Sequence, residues 1–521
     1  MDFRRALALT LVAATLLAGA LLAAALAWIG LPSKVTLDTT NLLEIVKISL
    51  AVVGGIGGAV ALVVAYRKQW LAEEENHRAR EQNQRAREAA RREDTKLYAE
   101  RFDKATDKLG SNASPVRLAG VHALAALADD WQGGRQMCID VLCAYLRMPP
   151  EPEPVADQDP AAHAAWRAMR EVRATILRLI AAHLRRDAAV PWHGHDFDFT
   201  GVVFDDVTDL SGVVFSGGQV SFDRAKFSGG MVCFDAAKFS GGQVSFDRAK
   251  FSGGMVCFDA AKFSGGQVSF DRAKFSDGTI SFEKAWFTGS QVSFGYAEFS
   301  GSMASFQRAK LSDGTVSFHS AKLSDGTVSF HGARFSGGTL SFKGAKLSGA
   351  TVAFDLAKFF GGTVSFENAR FAGGAVWLLY VRFSGGTVSF LSAWFSGGTV
   401  SFSDAEFSGG RVWFFDVRFC GASVSFDLAE FSGGTVSFED ASFSGGAVSF
   451  DDAGFSGAQV DFSEVALWSQ PPTGLPAQAP GLQLPLQPAP QADSQPADED
   501  SDQNETSEPD EEPDSDAIDL P

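Results

Sequence analysis

From Phe215 to Phe455 every twelfth residue is Phe or Leu, 21 instances in which only Leu311, Leu323 and Leu347 depart from Phe. Five residues after each stands Val220, Val232, Val244 and onward, with Ile280, Ala304 and Leu340 as exceptions. Two residues further comes Phe222, Phe234, Phe246, broken at Leu378, and three more bring Ala225, Ala237, Ala249, with Val at 381 and 417. The consensus is F-S-G-G-x-V-S-F-D-x-A-K. Val and Phe are two apart, as are Ala and the next Phe, and a spacing of two points both side chains to one side of a strand. Each unit therefore holds two short strands, x-V-S-F and A-K-F. Ser-Gly-Gly turns one corner and Asp-x the other. A helix is excluded, because each interior Gly costs about 1 kcal/mol relative to Ala.

Strands this short bury nothing alone. Stacked along an axis, each pairs with its copy one coil away, and the Phe residues form continuous internal ladders. Val, Phe and Ala face inward; Ser, Lys and Gln face outward. The coil holds either one repeat of twelve or two. The segment at 216–239, "SGGQVSFDRAKFSGGMVCFDAAKF", recurs unchanged at 240–263 and favours two, a coil of 24. "SDGTVSFHSAKL" and "SDGTVSFHGARF" at 312–335 repeat at 12 and argue the other way.

The chain before the array is of a different kind. Residues 6–30 carry no charge over 25 positions, enough to cross a bilayer as a helix. A second apolar run, 42–66, holds only Glu44 and Lys47 and a small-xxx-small pair, Gly54 and Gly58. Arg4 and Arg5 precede the first run, and Arg67 and Lys68 close the second. That distribution predicts a two-span hairpin over 1–66 with both termini in the cytoplasm. A cleaved signal peptide is the competing reading of the first run. Residues 67–110 carry 12 basic and 10 acidic residues, with no Gly or Pro before Gly110, the pattern of a long solvated helix.

A small α-helical module is expected over 111–190. Ser114 and Pro115 open its first helix, Gly133 and Gly134 break it from the second, and the third carries Val172, Ile176 and Ile180 inward. Cys138 and Cys143 are read as core residues. His193 and His195 can bite one ion in principle, but no third ligand is signalled nearby, and a connector into the array is the plainer reading. The array occupies 191–467. Residues 468–521 are rich in Pro, Gln and acids and are expected to be disordered.

The net charge of −18 is uneven: Arg418 is the last basic residue, and the 103 residues beyond it carry 21 Asp and Glu. The body is balanced and the end is acidic. Five cysteines without a C-x-x-C pair exclude a disulfide framework or structural zinc site and suit a reducing compartment. Cys233 and Cys257 share a register and are read as a by-product of the duplication.

"AKFSG" at 225–229 and 249–253, "TDLSG" at 208–212 and "VVFSG" at 213–217 match the five-residue unit of the pentapeptide-repeat proteins, which this chain resembles. With "ERFDKATDKLGS" (100–111), "VRLAGVHALAALADDW", "CIDVLCAYLRMP" and "WHGHDFDFTGVVF", the layout over about 100–460 is similar to membrane-anchored pentapeptide-repeat proteins of high-GC bacteria of the actinobacterial type. The resemblance implies a mainly β protein whose core is a right-handed, four-sided parallel β-helix. It implies no established activity for most members. Alternating spacings of five and seven depart from the strict pattern.

No catalytic, cofactor-binding or metal site is marked. The repeats hold only His319 and His331, and the Ser residues recur too regularly to single one out. The expected function is therefore not enzymatic. It is a scaffold in the cell membrane presenting a cytoplasmic solenoid to a protein partner or to its own copy. The outward positions it offers run from Lys226 to Lys274, then to Trp286, Trp377, Trp394, Trp413, Glu406 and Glu430. The alternative is an acidic nucleic-acid mimic acting on an enzyme such as a type II topoisomerase, which some pentapeptide-repeat proteins inhibit. Direct nucleic-acid binding and a small-molecule ligand are not expected.

Overall fold

The computed structural model describes residues 39–155 and 158–485, with scattered positions between 12 and 27. The chain divides into two compact units, Met1–Glu100 and Arg101–Pro521. A helix, α1, spans Thr39–Leu109, so its last turns belong to the second unit. Within the first unit its charged part is laced by i, i+4 pairs, Glu81 with both His77 and Arg85 and Arg78 with Glu74. Such exposed pairs add a few tenths of a kcal/mol each. Among the described residues no helix is long and apolar enough to cross a membrane. Of the two expected spans, 6–30 lies largely outside the described residues, and 42–66 falls in the first part of α1.

The second unit opens with three further helices, α2 (Ser114–Asp130), α3 (Arg135–Arg147) and α4 (Pro160–Leu184). Ser114 lies inside α2 rather than capping it; Ala113 holds the cap position and Pro115 follows in the first turn. A short 3-10 turn, Gln132–Gly134, joins α2 to α3, and Gly134 lies so close beneath the Trp131 ring that a Cβ there would stand 2.3 Å from it. α4 is capped by Asp159, whose carboxylate accepts the Ala162 N–H at 2.8 Å. Val121, Leu124, Cys138, Leu142, Val172, Ile176 and Ile180 meet in a closed core.

From Phe197 to Gln483 the chain winds a parallel β-solenoid of about 12 coils. Lys250–Phe251 pairs in parallel with Lys226–Phe227 on one side and with Lys274–Ser276 on the other. Each coil therefore comprises two sequence repeats. The strands sort into two 19-stranded sheets, and successive repeats alternate between them. In the later coils the two short strands of a repeat join across the Gly-Gly bend, as in Arg370–Trp377 and Arg382–Ser389, with a register irregularity at the bend.

The interior is a set of Phe stacks. Phe258 is fully buried, lies parallel to Phe234 at 4.8 Å and to Phe282 at 4.9 Å, and meets Phe246 and Phe270 edge-on at 6.0 Å. Offset parallel and edge-on contacts are the two favourable aromatic geometries, so each ring is satisfied along the axis and across it. Leu378 takes its place in the row without exposure.

The helical module packs on the first coil of the solenoid. At the first coil, Arg185 bridges Val213 in antiparallel fashion, and Arg147, Arg170 and Arg185 reach Asp198, Asp205 and Asp209 at 2.7–2.9 Å. Trp192, fully buried, donates to Asp129 at 2.9 Å and stacks on His183 at 4.0 Å. At the far end the chain runs on past 468. Leu467–Trp468 pairs with Ser442–Phe443, Leu482–Gln483 pairs with Val460–Asp461, and the Trp468 ring meets Phe443 and Phe462 edge-on. Residues 486–521 lie outside the described residues.

Candidate interaction faces of the solenoid

Two corner types set what the outside of each coil displays. In Phe222–Ala225 the Ala225 N–H donates to the Phe222 carbonyl at 3.0 Å, closing a β-turn with Asp223 and Arg224 at its centre. Arg224 has φ +55°, and every twelfth residue from there to Asp452 is likewise left-handed. This third turn residue is the place where a type II turn favours Gly or Asn. Gly332 and Gly344 satisfy that preference; Leu356, Tyr380 and Leu428 do not, and their side chains stand about half exposed.

The Asp of this turn binds coil to coil. Asp223 Oδ1 accepts the Asp247 N–H at 3.1 Å and the Ser245 hydroxyl, and Asp247 repeats the arrangement with Asp271 and Ser269. Asp427 does the same for Asp451 and Ser449. The consensus Asp and Ser are thus two ends of one inter-coil bond. Burial pushes the carboxyls of Asp235, Asp247 and Asp355 above the ordinary carboxylate range, against hydrogen bonds that pull the other way.

The Ser-Gly-Gly corner brings backbones together. At Gly242, φ is +73° and a Cβ would lie 2.4 Å from the Gly218 carbonyl oxygen one coil below. Where the second Gly is replaced, Ser290 and Ser302 are buried and their hydroxyls have no hydrogen-bond partner.

Outside the turns the surface consists of ladders with one rung per coil. Lys226, Lys250 and Lys274 stand in register, followed by Glu298, Lys322, Lys346 and Arg370. Glu298 takes both neighbours, Lys274 at 3.3 Å and Lys322 at 3.2 Å, and its carboxyl is held below the ordinary range. Lys322, Lys346 and Arg370 with Ser324 and Ser348 line a groove of about 450 Å³. On the other sheet Trp286 interrupts the basic row, with the Lys310 ammonium 3.9 Å from its ring centroid and that of Lys262 at 5.9 Å. Beyond Arg382 the rungs turn acidic, with Glu406 and Glu430 in the same row.

The remaining candidates do not converge on a site. His193 Nε2 lies 2.9 Å from the Leu184 carbonyl and His195 Nδ1 3.4 Å from the His193 carbonyl, which places both in the connector. Burial pushes the Cys138 and Cys143 thiols up to about 11 and about 12 in the helical core. His319 meets Tyr296 edge-on at 5.6 Å, and His331 occupies the corresponding turn of the next half-coil. Among the described residues no group of three or more His, Cys, Asp or Glu is placed to hold a metal ion.

The geometry defines the class: a parallel β-solenoid repeat protein with laddered faces. No family model, curated protein or solved structure matches the chain.

Proposed function

We propose that this protein is a scaffold, anchored in the cell membrane by the apolar stretches 6–30 and 42–66, which offers the outer ladders of a cytoplasmic solenoid to a protein partner or to a second copy. The membrane attachment rests on sequence alone. So do kinship with the pentapeptide-repeat proteins and the right-handed, four-sided coil which that kinship implies. The reading assigns the protein no reaction.

One observation carries it. Leu356, Tyr380 and Leu428 stand 49%, 57% and 53% exposed at one row of turns, all with left-handed backbone. Large apolar side chains held outward by a rigid sheet are what interface anchors consist of. Photo-crosslinking from position 380 in native membranes tests this. A discrete crosslinked species, lost in a Leu356→Ser/Leu428→Ser variant of unchanged circular dichroism, supports the scaffold. Only monomer in crosslinking and in native mass measurement sinks it.

The nucleic-acid mimic draws support from Asp404, Asp416, Asp440 and Asp452 at the late turns. It is the weaker reading, because the basic rows through Arg382 carry the opposite sign to a phosphate backbone. Unimpaired supercoiling by a type II topoisomerase in the presence of the protein disposes of it.

A further inference from the structure

The segment copied unchanged at 216–263 matches the coil in length, and so sets two copies of Met-Val-Cys directly above one another. Met231–Cys233 pairs in parallel with Met255–Cys257: Met on Met, Val on Val, Cys on Cys. Val232 and Val256 point inward and are buried, so the flanking Met and Cys of each strand project from the outer side of the sheet. Met231 and Met255 are 42% and 40% exposed. Cys233 and Cys257 stand in register on adjacent coils. Cys233 is partly exposed and Cys257 buried, so two thioethers at the surface and two thiols beneath it lie on one side of two adjacent rungs. The rungs to either side supply no sulfur: Val207 and Asp209 lie before the patch, Thr279 and Ser281 after it.

We propose that Met231, Cys233, Met255 and Cys257 form a binding site for a soft monovalent cation of the copper(I) type. Thiolate and thioether sulfur together select such ions over hard ones. The geometry favours a shared ion over a disulfide. In-register parallel strands hold equivalent Cβ atoms about 4.8 Å apart, whereas a disulfide wants them about 3.8 Å apart. Two sulfurs on one metal, each about 2.3 Å from it, stand up to about 4.6 Å apart. The carboxylates nearby are already engaged, Asp209 by Arg185 at 2.8 Å, Asp235 by the Asp259 N–H at 3.1 Å and Asp259 by the Ser281 hydroxyl at 2.5 Å. Met side chains are long and unbranched enough to swing onto the ion.

An ordinary cysteine thiol carries its proton at neutral pH, and the thiolate is the metal ligand. Binding breaks two S–H bonds and forms two S–Cu bonds. Two protons leave to solvent, and nothing is oxidised or reduced. Affinity therefore rises with pH.

The test uses the purified full-length protein, titrated anaerobically with copper(I) against a competing copper(I) chelator, and in parallel with silver(I), which does not cycle in redox state. About one ion per chain retained after desalting is expected, unchanged in Cys420→Ser. Cys233→Ser/Cys257→Ser should abolish retention. That variant will fold, because Ser245 and Ser269 already occupy the equivalent place on the other sheet. Met231→Leu/Met255→Leu should weaken retention by about tenfold or more, the scale at which a supporting ligand acts. No retained ion, retention unchanged by the double Cys variant, or a Cys233–Cys257 disulfide formed in place of metal uptake would each overturn the proposal.

Discussion

Asp247 Oδ1 accepts the N–H of Asp271, one coil further on, at 3.1 Å, and takes the Ser269 hydroxyl as well. One carboxylate thereby satisfies a backbone donor and a side-chain donor that the sheet ladder does not reach. Asp247→Ala takes the acceptor from the Ser269 hydroxyl and leaves the Asp271 N–H only its longer bond to Ser269 Oγ at 3.3 Å, and should cost about 1–3 kcal/mol. Asp247→Asn keeps an oxygen acceptor and should cost far less. Urea or thermal unfolding midpoints of the two variants separate these outcomes.

The same carboxylates set a pH dependence. Asp247 is held above its ordinary value near 3.8 chiefly by burial, so the folded chain binds its proton more readily than the unfolded chain. Its contribution grows as pH falls through the folded value and is complete below the ordinary one. Asp206, Asp209 and Glu298 are depressed by Arg170, by Ser211 and Arg185, and by Lys322 and Lys274, and their contribution is lost as pH falls. Asp247→Asn should therefore compare best with the parent near pH 7. Its relative standing should fall as the pH approaches 4. Melting temperatures across that range decide it.

Gly242→Ala places a Cβ 2.4 Å from a carbonyl oxygen at φ +73°, against the backbone of Gly217 and Gly218 in the coil below. Gly332→Ala meets only the Arg308 Cγ, at 3.7 Å and φ +64°, where the neighbouring coils already carry Arg308 and Leu356. The first should disrupt the coil stack, and the second should cost about 1 kcal/mol or less. Circular dichroism and melting of both variants check the contrast.

Ser290 is buried and its hydroxyl is unpartnered. Ser290→Ala removes that group and keeps the Cβ in place. A gain of about 1 kcal/mol in unfolding free energy is expected, and an unchanged or lowered value would show that a water molecule serves the hydroxyl.

Removing residues 240–263 takes out one whole coil and joins identical neighbours. The shortened chain should keep its circular dichroism and stay within a few degrees of the parent melting temperature, as nearest-neighbour stacking requires.

The inward Phe, Val and Ala rows, the two corners and the helical module were legible because each is written as a period. The coil length was not settled by pattern, since one repeat per coil and two bury the same side chains; the pairing of Phe227 with Phe251 decides it. The left-handed turn position was hidden by Leu356 and Tyr380, though Gly332, Gly344 and Asn368 in the same register were a signal. The role of Asp223 was half visible. A turn residue was evident, but its bond to Ser245 requires knowing which coil lies above. The tail past 468 read as unstructured because its strand, Leu482–Gln483, carries no repeat. Cys233 and Cys257 looked incidental until a coil of two repeats made them neighbours.

A coil that contains the repeat twice has a further property. Phe227 and Phe239 are equivalent in the motif but belong to opposite sheets. Gaining or losing a single repeat leaves every buried row continuous, yet it moves all that follows to the other side of the molecule. A copying error of one repeat thus reassigns which face each exposed side chain occupies, while an error of two only lengthens or shortens the stack. Such a gene can rearrange its surface without redesigning its interior.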